Sequence, residues 1–409
     1  MRKPNLVVPN KWRMLALVSF STLLSLSLWF SVNAISMILE TEKGFTTGDI
    51  AWLTVSVQLG VVTGSLILAI TNIPDIVNAR VVFSVSCVLA ALTNVVLLFP
   101  QVGTGEAIAA RFLTGMFLAG VYPLAMKIVS GWFNSSRGIA IGITIGALTL
   151  GSGSPHLLKS LFVSQWETTL IVSSSLSVMG GLIVFFFVRD GPHDVQTARF
   201  NPTYVVAIIK SRALQLVLIG YLGHMWELYA MWAWIPSFLE YLYGNRIVFY
   251  GLFEISSLMT FLVFLSGAMG CVVGGLLAER WGRTAIAGWA LALSGGTALC
   301  IGFLPVGWTH AICFMALLWG FTVIADSAQF STAMTELSDS SYRGTALTLQ
   351  TGLGFLLTVI TIRLVPIIQS QIGWGWAFSF LSVGPVFGIF AMLKLRNIPD
   401  SQIMAMGKR

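Results

Sequence analysis

Long apolar runs dominate this 409-residue chain and restrict what it can fold into. A run of about 18 or more apolar residues is long enough to cross a bilayer as a helix. Hydrophobic residues make up 56% of the chain and charged residues only 10%, whereas an ordinary soluble domain has about 25% charged residues. The sequence therefore predicts an all-α membrane protein with twelve transmembrane helices, numbered here spans 1 to 12, at residues 14–39, 50–73, 81–99, 107–133, 138–161, 167–188, 214–241, 255–278, 284–303, 309–336, 345–365 and 374–393.

Basic residues are distributed as a membrane topology requires. With an even number of spans both termini lie on one side, and the loops on that side carry seventeen lysines and arginines against three on the other, at Lys43, Lys159 and Arg246. Cytoplasmic loops carry such an excess of Lys and Arg. We therefore expect both termini on the cytoplasmic side of a bacterial-type inner (plasma) membrane, with lipid as the surrounding partner. The net charge of +7 orients the chain and does not indicate nucleic-acid binding.

Signatures of metal, nucleotide and hydrolytic chemistry are missing from the sequence. The four cysteines lie inside spans and form no C-x-x-C pair, so neither a disulfide framework nor a metal site is expected. No Walker loop, dinucleotide fingerprint, G-x-S-x-G or H-E-x-x-H pattern occurs, and these are the usual marks of nucleotide binding or hydrolysis. We therefore expect no cofactor, no enzyme activity and no ATP-driven transport by this chain alone.

The sequence repeats itself at an offset of about half its length. Ser135–Gly138 after span 4 matches Ser341–Gly344 after span 10 at an offset of 206 residues, and Trp166 opens span 6 as Trp374 opens span 12 at an offset of 208. The longest predicted cytoplasmic connection, which begins with a Gly-Pro turn signal, lies between these copies. We therefore predict an N-terminal six-helix bundle, a linker and a C-terminal six-helix bundle at residues 1–188, 189–213 and 214–409.

Two related loops carry the strongest motif. Gly275–Arg283 reads G-L-L-A-E-R-W-G-R, and a degraded copy at Asp75–Arg80 lies 204 residues earlier with Asn78 at the Gly position. The Gly275–Arg283 loop resembles the G-x-L-(A)-(D/E)-R-x-G-R signature of the major facilitator superfamily, found between the second and third helices of each half. This resemblance covers nearly the whole chain and implies two pseudo-symmetric bundles that rock around a central site. It assigns spans 2, 5, 8 and 11 to the interface between halves and spans 1, 4, 7 and 10 to the cavity.

Glycines recur at close spacing in the spans that the resemblance assigns to the interface. Such small residues let helix backbones approach closely where lipid gives no hydrophobic drive. We therefore expect packing between the halves at Gly60 and Gly64 in span 2, Gly142 and Gly146 in span 5, Gly270 and Gly274 in span 8, and Gly352 and Gly354 in span 11.

The motif loops also imply a gate. In the resembling family the loop acid holds the inward side shut by contact with a neighbouring helix end, where a carboxylate is stabilised by the helix dipole and facing bases. Carried over by position, the predicted gating residues are Asp75 and Arg80 in one half and Glu279, Arg280, Gly282 and Arg283 in the other.

Ionisable residues in the middle of spans are the candidates for binding solute or protons. A charge at the centre of a bilayer costs at least ~2.5 kcal/mol, so it is a functional candidate by default. His224 and Glu227 in span 7 are three residues apart and share one helical face, where a carboxylate can take up a proton and a histidine can relay it. The remaining candidates are Asp326 and Gln329 in span 10, Arg111 and Lys127 in span 4, Asn33 in span 1 and Trp226 as a stacking surface in span 7.

The family resemblance implies a secondary active transporter. Arg137–Ala140, the linker start at Arg189–Pro192 and the span 7 block look like bacterial nitrate/nitrite and cyanate porters, although Gly142–Pro155 lacks the Asn of a nitrate signature. Proton-coupled uptake of a small solute by a monomer, with a small anion as one candidate solute, is the principal hypothesis. A proton-antiport exporter of drugs or metabolites is the alternative. A facilitator-like sensor or assembly factor without transport is a third, from another class.

Overall fold

The computed structural model describes residues 10–71, 73–133, 137–162, 165–193, 203–244, 246–248, 253–339 and 343–408. These residues are almost entirely helical. In the N-terminal half, helices α1 to α10 lie at Lys11–Leu26, Ser31–Ala34, Ser36–Lys43, Thr47–Thr71, Ile73–Ile76, Ala79–Asn94, Thr104–Leu118, Tyr122–Trp132, Arg137–Leu161 and Trp166–Phe187. In the predicted linker and the C-terminal half, α11 to α19 lie at Thr203–Lys210, Arg212–Tyr243, Ile255–Trp281, Arg283–Ile301, Thr309–Val323, Ser327–Leu337, Arg343–Ile372, Trp374–Ser379 and Val383–Arg396.

Short elements complete the described chain. Strands β1 (Ile247–Val248) and β2 (Phe253–Glu254) form an antiparallel pair before α13. Short 3-10 helices lie at Val95–Leu98, Phe380–Ser382 and Pro399–Gly407.

Both ends of the described chain lie at the same end of the bundle. Trp12 at the start of α1 packs edge-on against Phe133 after α8. Lys408 near the C-terminus donates to the backbone carbonyl of Glu279 at the end of α13, and the Glu279 side chain in turn lies against Gly138 at the start of α9. This end is called the termini side below, and the opposite end is called the far side.

The predicted twelve-helix fold is confirmed, with two informative exceptions in the described residues. Ten helices are long and apolar enough to cross a membrane. Span 1 is missing from that set because it is broken into α1, α2 and α3, with turns at residues 27–30 and at residue 35. Span 7 is the continuous 32-residue helix α12, but His224 and Glu227 lower the hydropathy of its middle.

Interrupted helices repeat between the halves. Span 4 is broken into α7 and α8 by a turn at residues 119–121, and span 10 is broken into α15 and α16 by a turn at residues 324–326. The two breaks lie 205 residues apart, close to the offsets seen in the sequence. Irregular backbone at membrane depth is tolerated only where other protein groups or a cavity satisfy it. The breaks therefore mark the spans in which polar groups are concentrated.

Close-packed glycines join helices within each half more than they join the halves. A Cβ at Gly60 would overlap the carbonyl oxygen of Phe112 in α7, and one at Gly270 would overlap that of Phe321 in α15. The prediction that spans 2 and 8 use these glycines at the interface is therefore wrong. In α9, by contrast, Gly146 faces Ala268 of α13 with 3.0 Å between its Cβ position and the carbonyl oxygen. Among the predicted glycine pairs, only that of α9 faces the other half. In span 11, no described atom lies within 4 Å of the Cβ position of Gly352, and Gly354 packs against Tyr221 of its own half.

The two halves meet along α9 with α13 and along α4 with α17. Between these contacts lies a buried group of rings, called the central aromatic cluster. Phe30 of the N-terminal half lies 5.9 Å from Trp232 and 6.0 Å from Phe264, measured between ring centroids. The cluster consists of Trp29, Phe30, Tyr229, Trp232, Phe264 and Phe355. It closes the middle of the molecule in this conformation.

The packing at Gly270 can be tested by one added methyl group. Gly270→Ala should destabilise the folded protein by about 1–3 kcal/mol because the new Cβ forces α13 away from α15. Gly352→Ala is the matched control, since no described atom lies within 4 Å of its Cβ position. Thermal unfolding of both variants in detergent measures the effect. Equal melting temperatures would contradict the close approach.

Candidate functional site

A buried ion pair joins spans 7 and 10 in the C-terminal half. Nδ1 of His224 lies 2.7 Å from Oδ1 of Asp326, and both side chains are at most 2% exposed. The contact has the distance of an ion pair but not the alignment of a hydrogen bond, so Oδ1 of Asp326 and both ring nitrogens of His224 lack a hydrogen-bond partner among the described residues. Polar groups buried without aligned partners are costly. The pair is therefore the most strained polar contact of the predicted site.

The backbone break in span 10 positions Asp326. Asp326 occupies the N-cap of α16, but its side chain makes no capping hydrogen bond. The neighbouring break residues touch α13, because the thiol of Cys271 lies 3.8 Å from the carbonyl oxygen of Ile324 and Gly274 packs against the carbonyl of Ala325. The alternative in which Asp326 merely caps the helix is therefore not what this conformation shows. The carboxylate points to His224 instead.

Glu227 faces the interior of the C-terminal half. Its two carboxylate oxygens accept hydrogen bonds from the Ser294 hydroxyl at 2.8 Å and the Trp319 indole N–H at 2.6 Å. Ser294 lies on α14 and Trp319 on α15. His224 and Glu227 share a helical face as predicted, but they contact different helices. Glu227 is 1% exposed and is held by the C-terminal bundle alone among the described residues.

Arg111 supports the break in span 1. Its guanidinium donates to the carbonyl oxygens of Leu28 at 3.1 Å and Trp29 at 2.6 Å, and to the amide oxygen of Asn94 at 2.8 Å. These carbonyls follow the last turn of α1, where helical hydrogen bonding ends. A cation at such a helix end also interacts favourably with the helix dipole. In this conformation Arg111 therefore holds the carbonyl groups at the break of span 1, and its contact with solute or protons stays a prediction.

The other predicted cavity residues are scattered. Lys127 is half-buried on α8. The Trp226 indole donates to the carbonyl of Phe380 at 3.2 Å, so it packs against span 12. Gln329 accepts from Arg283 at 3.3 Å on the termini side. These hydrogen bonds of Trp226 and Gln329 are thus with groups other than the His224–Asp326 pair.

Asn33 lines a cavity between the halves. Its amide donates to the hydroxyl of Thr54 at 2.9 Å and to the carbonyl of Ala233 in the other half at 3.4 Å. The cavity lies on the far side and is lined by Asn33, Ala34, Ile35, Ser36, Met37, Ile38, His156, Lys159, Pro236, Glu240, Glu254, Ser256, Ser257 and Thr260. We call it the far-side pocket.

Sequence reasoning missed the charged residues of the far-side pocket. Nζ of Lys159 lies 3.6 Å from Oε2 of Glu254, across the two halves. The hydroxyls of Ser256 and Ser257 donate to the Glu254 carboxylate at 2.6 and 2.9 Å. The charged residues Lys159, Glu240 and Glu254, together with His156, lie near the ends of predicted spans. Charges at such positions are normally assigned to loops. These residues lie on different helices and follow no common spacing, so the sequence carried no sign that they converge.

On the termini side, Glu279 is placed as a gate requires. Its Oε1 lies 2.6 Å from the Cβ position of Gly138, in the first turn of α9 in the opposite half. Gly282 makes the turn after α13 with φ +94°, which favours glycine. Arg283 forms a two-pronged pair with Glu336, with N–O distances of 2.8 and 2.6 Å. Arg280 is exposed.

The degraded motif copy makes contacts inside its own half. Arg80 holds Asp190 by two hydrogen bonds of 3.0 and 3.1 Å, and donates to the carbonyl of Val188 at 2.7 Å. Asn78, at the motif Gly position, also donates to Asp190 at 2.8 Å. The predicted gating side chain of Asp75 lies outside the described residues. Arg80 therefore ties α6 to the end of α10.

Comparisons with known proteins agree with this architecture. A family model described as Major Facilitator Superfamily matches residues 15–360. Two solved structures share the fold. A D-xylose–proton symporter has a TM-score of 0.72 and 14% identity, covering 96% of this chain and 99% of that one. A nucleoside transporter has a TM-score of 0.69 and 15% identity, covering 93% of this chain and 99% of that one.

Curated relatives match over shorter segments. A sulfoacetate transporter from Cupriavidus necator is 27% identical over 192 residues, 42% of this chain and 43% of that protein. A relative from Staphylococcus haemolyticus named for proline and betaine transport is 28% identical over 166 residues, 37% and 35% of the two chains. A relative from Agrobacterium vitis named for tartrate transport is 23% identical over 193 residues, 40% and 44%. The matched segments thus span less than half of these relatives, and the predicted resemblance to nitrate/nitrite or cyanate porters finds no support here.

Loss of the Arg111 contacts should lower stability. Arg111→Met leaves buried carbonyl groups unpaired, at a cost of about 1–3 kcal/mol for each one, and Arg111→Lys should recover only part because an ammonium does not bridge the same set. Thermal unfolding in detergent measures this, with exposed Arg280→Met as the control. An unchanged melting temperature for Arg111→Met, together with lost solute binding, would return Arg111 to the solute site.

The Glu279 contact should hold the termini side closed. Glu279→Gln weakens an interaction with a helix N-terminus worth roughly 0.3–2 kcal/mol, so the interface between α9 and α13 should open more often. The buried thiol of Cys271 lies 3.7 Å from the Thr149 hydroxyl of α9. Its rate of maleimide labelling can report opening in a background carrying Cys87→Ser, Cys300→Ser and Cys313→Ser. We expect several-fold faster labelling than in the Arg280→Gln control. Equal rates would remove Glu279 from the gate.

Proposed function

The chain belongs to the Major Facilitator Superfamily and is a multi-pass secondary transporter of a small solute, and we propose that it moves a small carboxylate-bearing solute by proton-coupled alternating access. The observation that carries the proposal is the buried His224–Asp326 pair at the break of span 10.

His224 and Asp326 have the chemistry of a proton carrier. Imidazole and carboxylate are both groups that gain and lose protons under physiological conditions when their surroundings change. An ionisable pair inside a membrane span is costly and therefore marks proton or ion pathways. Nδ1 of His224 and Oδ1 of Asp326 lie 2.7 Å apart, so a proton that reaches one group is within reach of the other. Glu227 is a weaker candidate, because Ser294 and Trp319 already satisfy its carboxylate.

The position of Asp326 links the proton to the interface between the halves. Protonation of Asp326 weakens its attraction to His224, and the change acts on the break between α15 and α16. That break lies against Cys271 and Gly274 of α13. The same part of α13 also packs on α9 of the N-terminal half, where the Cys271 thiol lies 3.7 Å from the Thr149 hydroxyl. Helix α13 therefore lies between a proton at Asp326 and the α9 side of the interface that must open and close.

The solute class follows from what the similar proteins are named for. Sulfoacetate, tartrate, proline and betaine differ in size and charge but each carries a carboxylate. The central aromatic cluster separates the halves, so a solute passing between them must displace it or bind beside it. A lysine and an unpartnered histidine in the far-side pocket offer groups that bind a carboxylate.

Orientation and direction complete the proposal. The excess of Lys and Arg on the termini side puts that side in the cytoplasm, and the transporter then works as a monomer for uptake with protons. The exporter hypothesis needs buried acids that face an organic cation between the halves. Glu227 faces Ser294 on α14 and Trp319 on α15, and Asp326 faces His224 on α12, so no observation favours the exporter over uptake.

Proton coupling is tested in proteoliposomes by replacing Asp326. Wild-type protein should exchange one of sulfoacetate, tartrate, proline or glycine betaine in counterflow, but not D-xylose. It should also accumulate that solute under a gradient of about one pH unit, which supplies about 1.4 kcal/mol per proton. Asp326→Asn should keep counterflow and lose the pH-driven accumulation, because the neutral amide binds no proton. Exposed Asp400→Asn is the control.

Two outcomes contradict the proposal in different ways. Full pH-driven accumulation by Asp326→Asn would remove this residue as the proton carrier. The absence of counterflow for every carboxylate would contradict the solute class and favour the sensor or assembly hypothesis. The side of the imposed acid pH that drives accumulation reports the direction.

A further inference from the structure

The far-side pocket is built from both halves. Asn33 and His156 of the N-terminal half and Glu240 and Glu254 of the C-terminal half line it, with Lys159 beside Glu254. A cavity between two bodies that move relative to each other changes shape when they move. Polar side chains that face it are therefore positioned to respond to an occupant.

Acids outnumber bases in the pocket. Lys159 is only 9% exposed and is paired with Glu254 at 3.6 Å. Glu240 lies close enough to Glu254, Lys159 and Glu40 for their charges to act on it. Charges in a partly buried site interact more strongly than in water, because less solvent screens them. With Glu240 and Glu254 ionised, the pocket sets two carboxylates against one lysine.

A buried nitrogen in the pocket is available to bind a solute. His156 is 1% exposed, and its Nε2 has no hydrogen-bond partner among the described residues. Its ring stacks on Phe264 of the central aromatic cluster, with 5.8 Å between centroids, and this contact fixes the ring in place. A buried polar atom without a partner carries a desolvation cost that a bound group can remove. An oxygen of a solute would satisfy Nε2.

We infer that the far-side pocket binds the solute and selects a small zwitterion, with the carboxylate at Lys159 and His156 and the cationic nitrogen at Glu240. This inference rests on the proposed transport of a carboxylate-bearing solute. A dianion would meet one lysine and two carboxylates, and its second negative charge would face Glu240. Specificity of this kind comes from the repulsive contact as much as from the attractive one.

Solute binding also changes the contact between the halves. The carboxylate of the solute competes with Glu254 for Lys159, so a pair that ties α9 to the start of α13 is replaced by contacts through the solute. The hydroxyls of Ser256 and Ser257 continue to hold Glu254 when Lys159 leaves it. The far side can then open without leaving the buried Glu254 carboxylate without hydrogen-bond partners.

The binding preference of the purified full-length wild type is the first test. Titration calorimetry should give tighter binding of glycine betaine or proline than of sulfoacetate or tartrate, by at least about tenfold, since a mispaired charge in a buried contact has an effect of this order. This measurement needs no variant and so does not depend on the folding of one. Tighter binding of the dianions would overturn the inference.

Two substitutions then locate the charges. Glu240→Gln should weaken zwitterion binding about tenfold and reduce the discrimination against dianions, because the repulsive carboxylate is gone. Lys159→Gln should weaken both classes, and Lys159→Arg should restore most of the binding. Glu167→Gln, an exposed acid at the start of α10 on the same side, is the control. Thermal unfolding confirms that each variant is folded.

The outcomes separate this inference from the proposed function. Binding of carboxylates with no change in Glu240→Gln or Lys159→Gln would place the solute elsewhere and overturn the inference, while transport of a carboxylate would still stand. No binding and no counterflow of any carboxylate would overturn the proposed function itself.

Discussion

The need to satisfy backbone polar groups inside a membrane governs this structure. A continuous helix satisfies its own N–H and C=O groups, but a broken one exposes carbonyls that must find partners in the protein. The break in span 1 is held by Arg111, which binds the carbonyls of Leu28 and Trp29, and by the Ser27 hydroxyl, which binds the carbonyl of Ser173. One buried guanidinium thus allows span 1 to change direction. The central aromatic cluster and the far-side pocket both depend on that change.

The distribution of contacts makes each half a coherent body. Close glycine contacts lock α4 to α7 in one half and α13 to α15 in the other, with no room for a methyl group. Contacts between the halves are of a more reversible kind: stacked rings, a lysine–glutamate pair on the far side and a carboxylate against a helix start on the termini side. Packed interiors resist deformation, whereas such contacts exchange partners readily. Alternating access requires rigid halves and an interface between them whose contacts can change.

Part of the fold and of the site was predictable from local patterns, and the failures have definite causes. The motif at Gly275–Arg283 implied a gate through its resemblance to the family signature, and the gate stays a prediction. The structure places a turn at Gly282 and Glu279 against the other half. Helical spacing predicted that His224 and Glu227 share a face. It did not reveal that one meets α16 and the other α14 and α15, because spacing fixes a face and not what lies opposite it.

The sequence by itself determined the number and order of the membrane spans, the duplication and the family, because hydropathy, charge bias and turn motifs are local properties. The tertiary structure alone decided which charges meet. Sequence position suggested that Arg111 binds an anion, whereas in the structure its guanidinium donates to the carbonyls of span 1. Lys159 and Glu254 looked like loop charges until the halves brought them within 3.6 Å. The physical reason is that a buried charge takes its role from the partners that desolvation forces on it, and those partners come from distant parts of the chain.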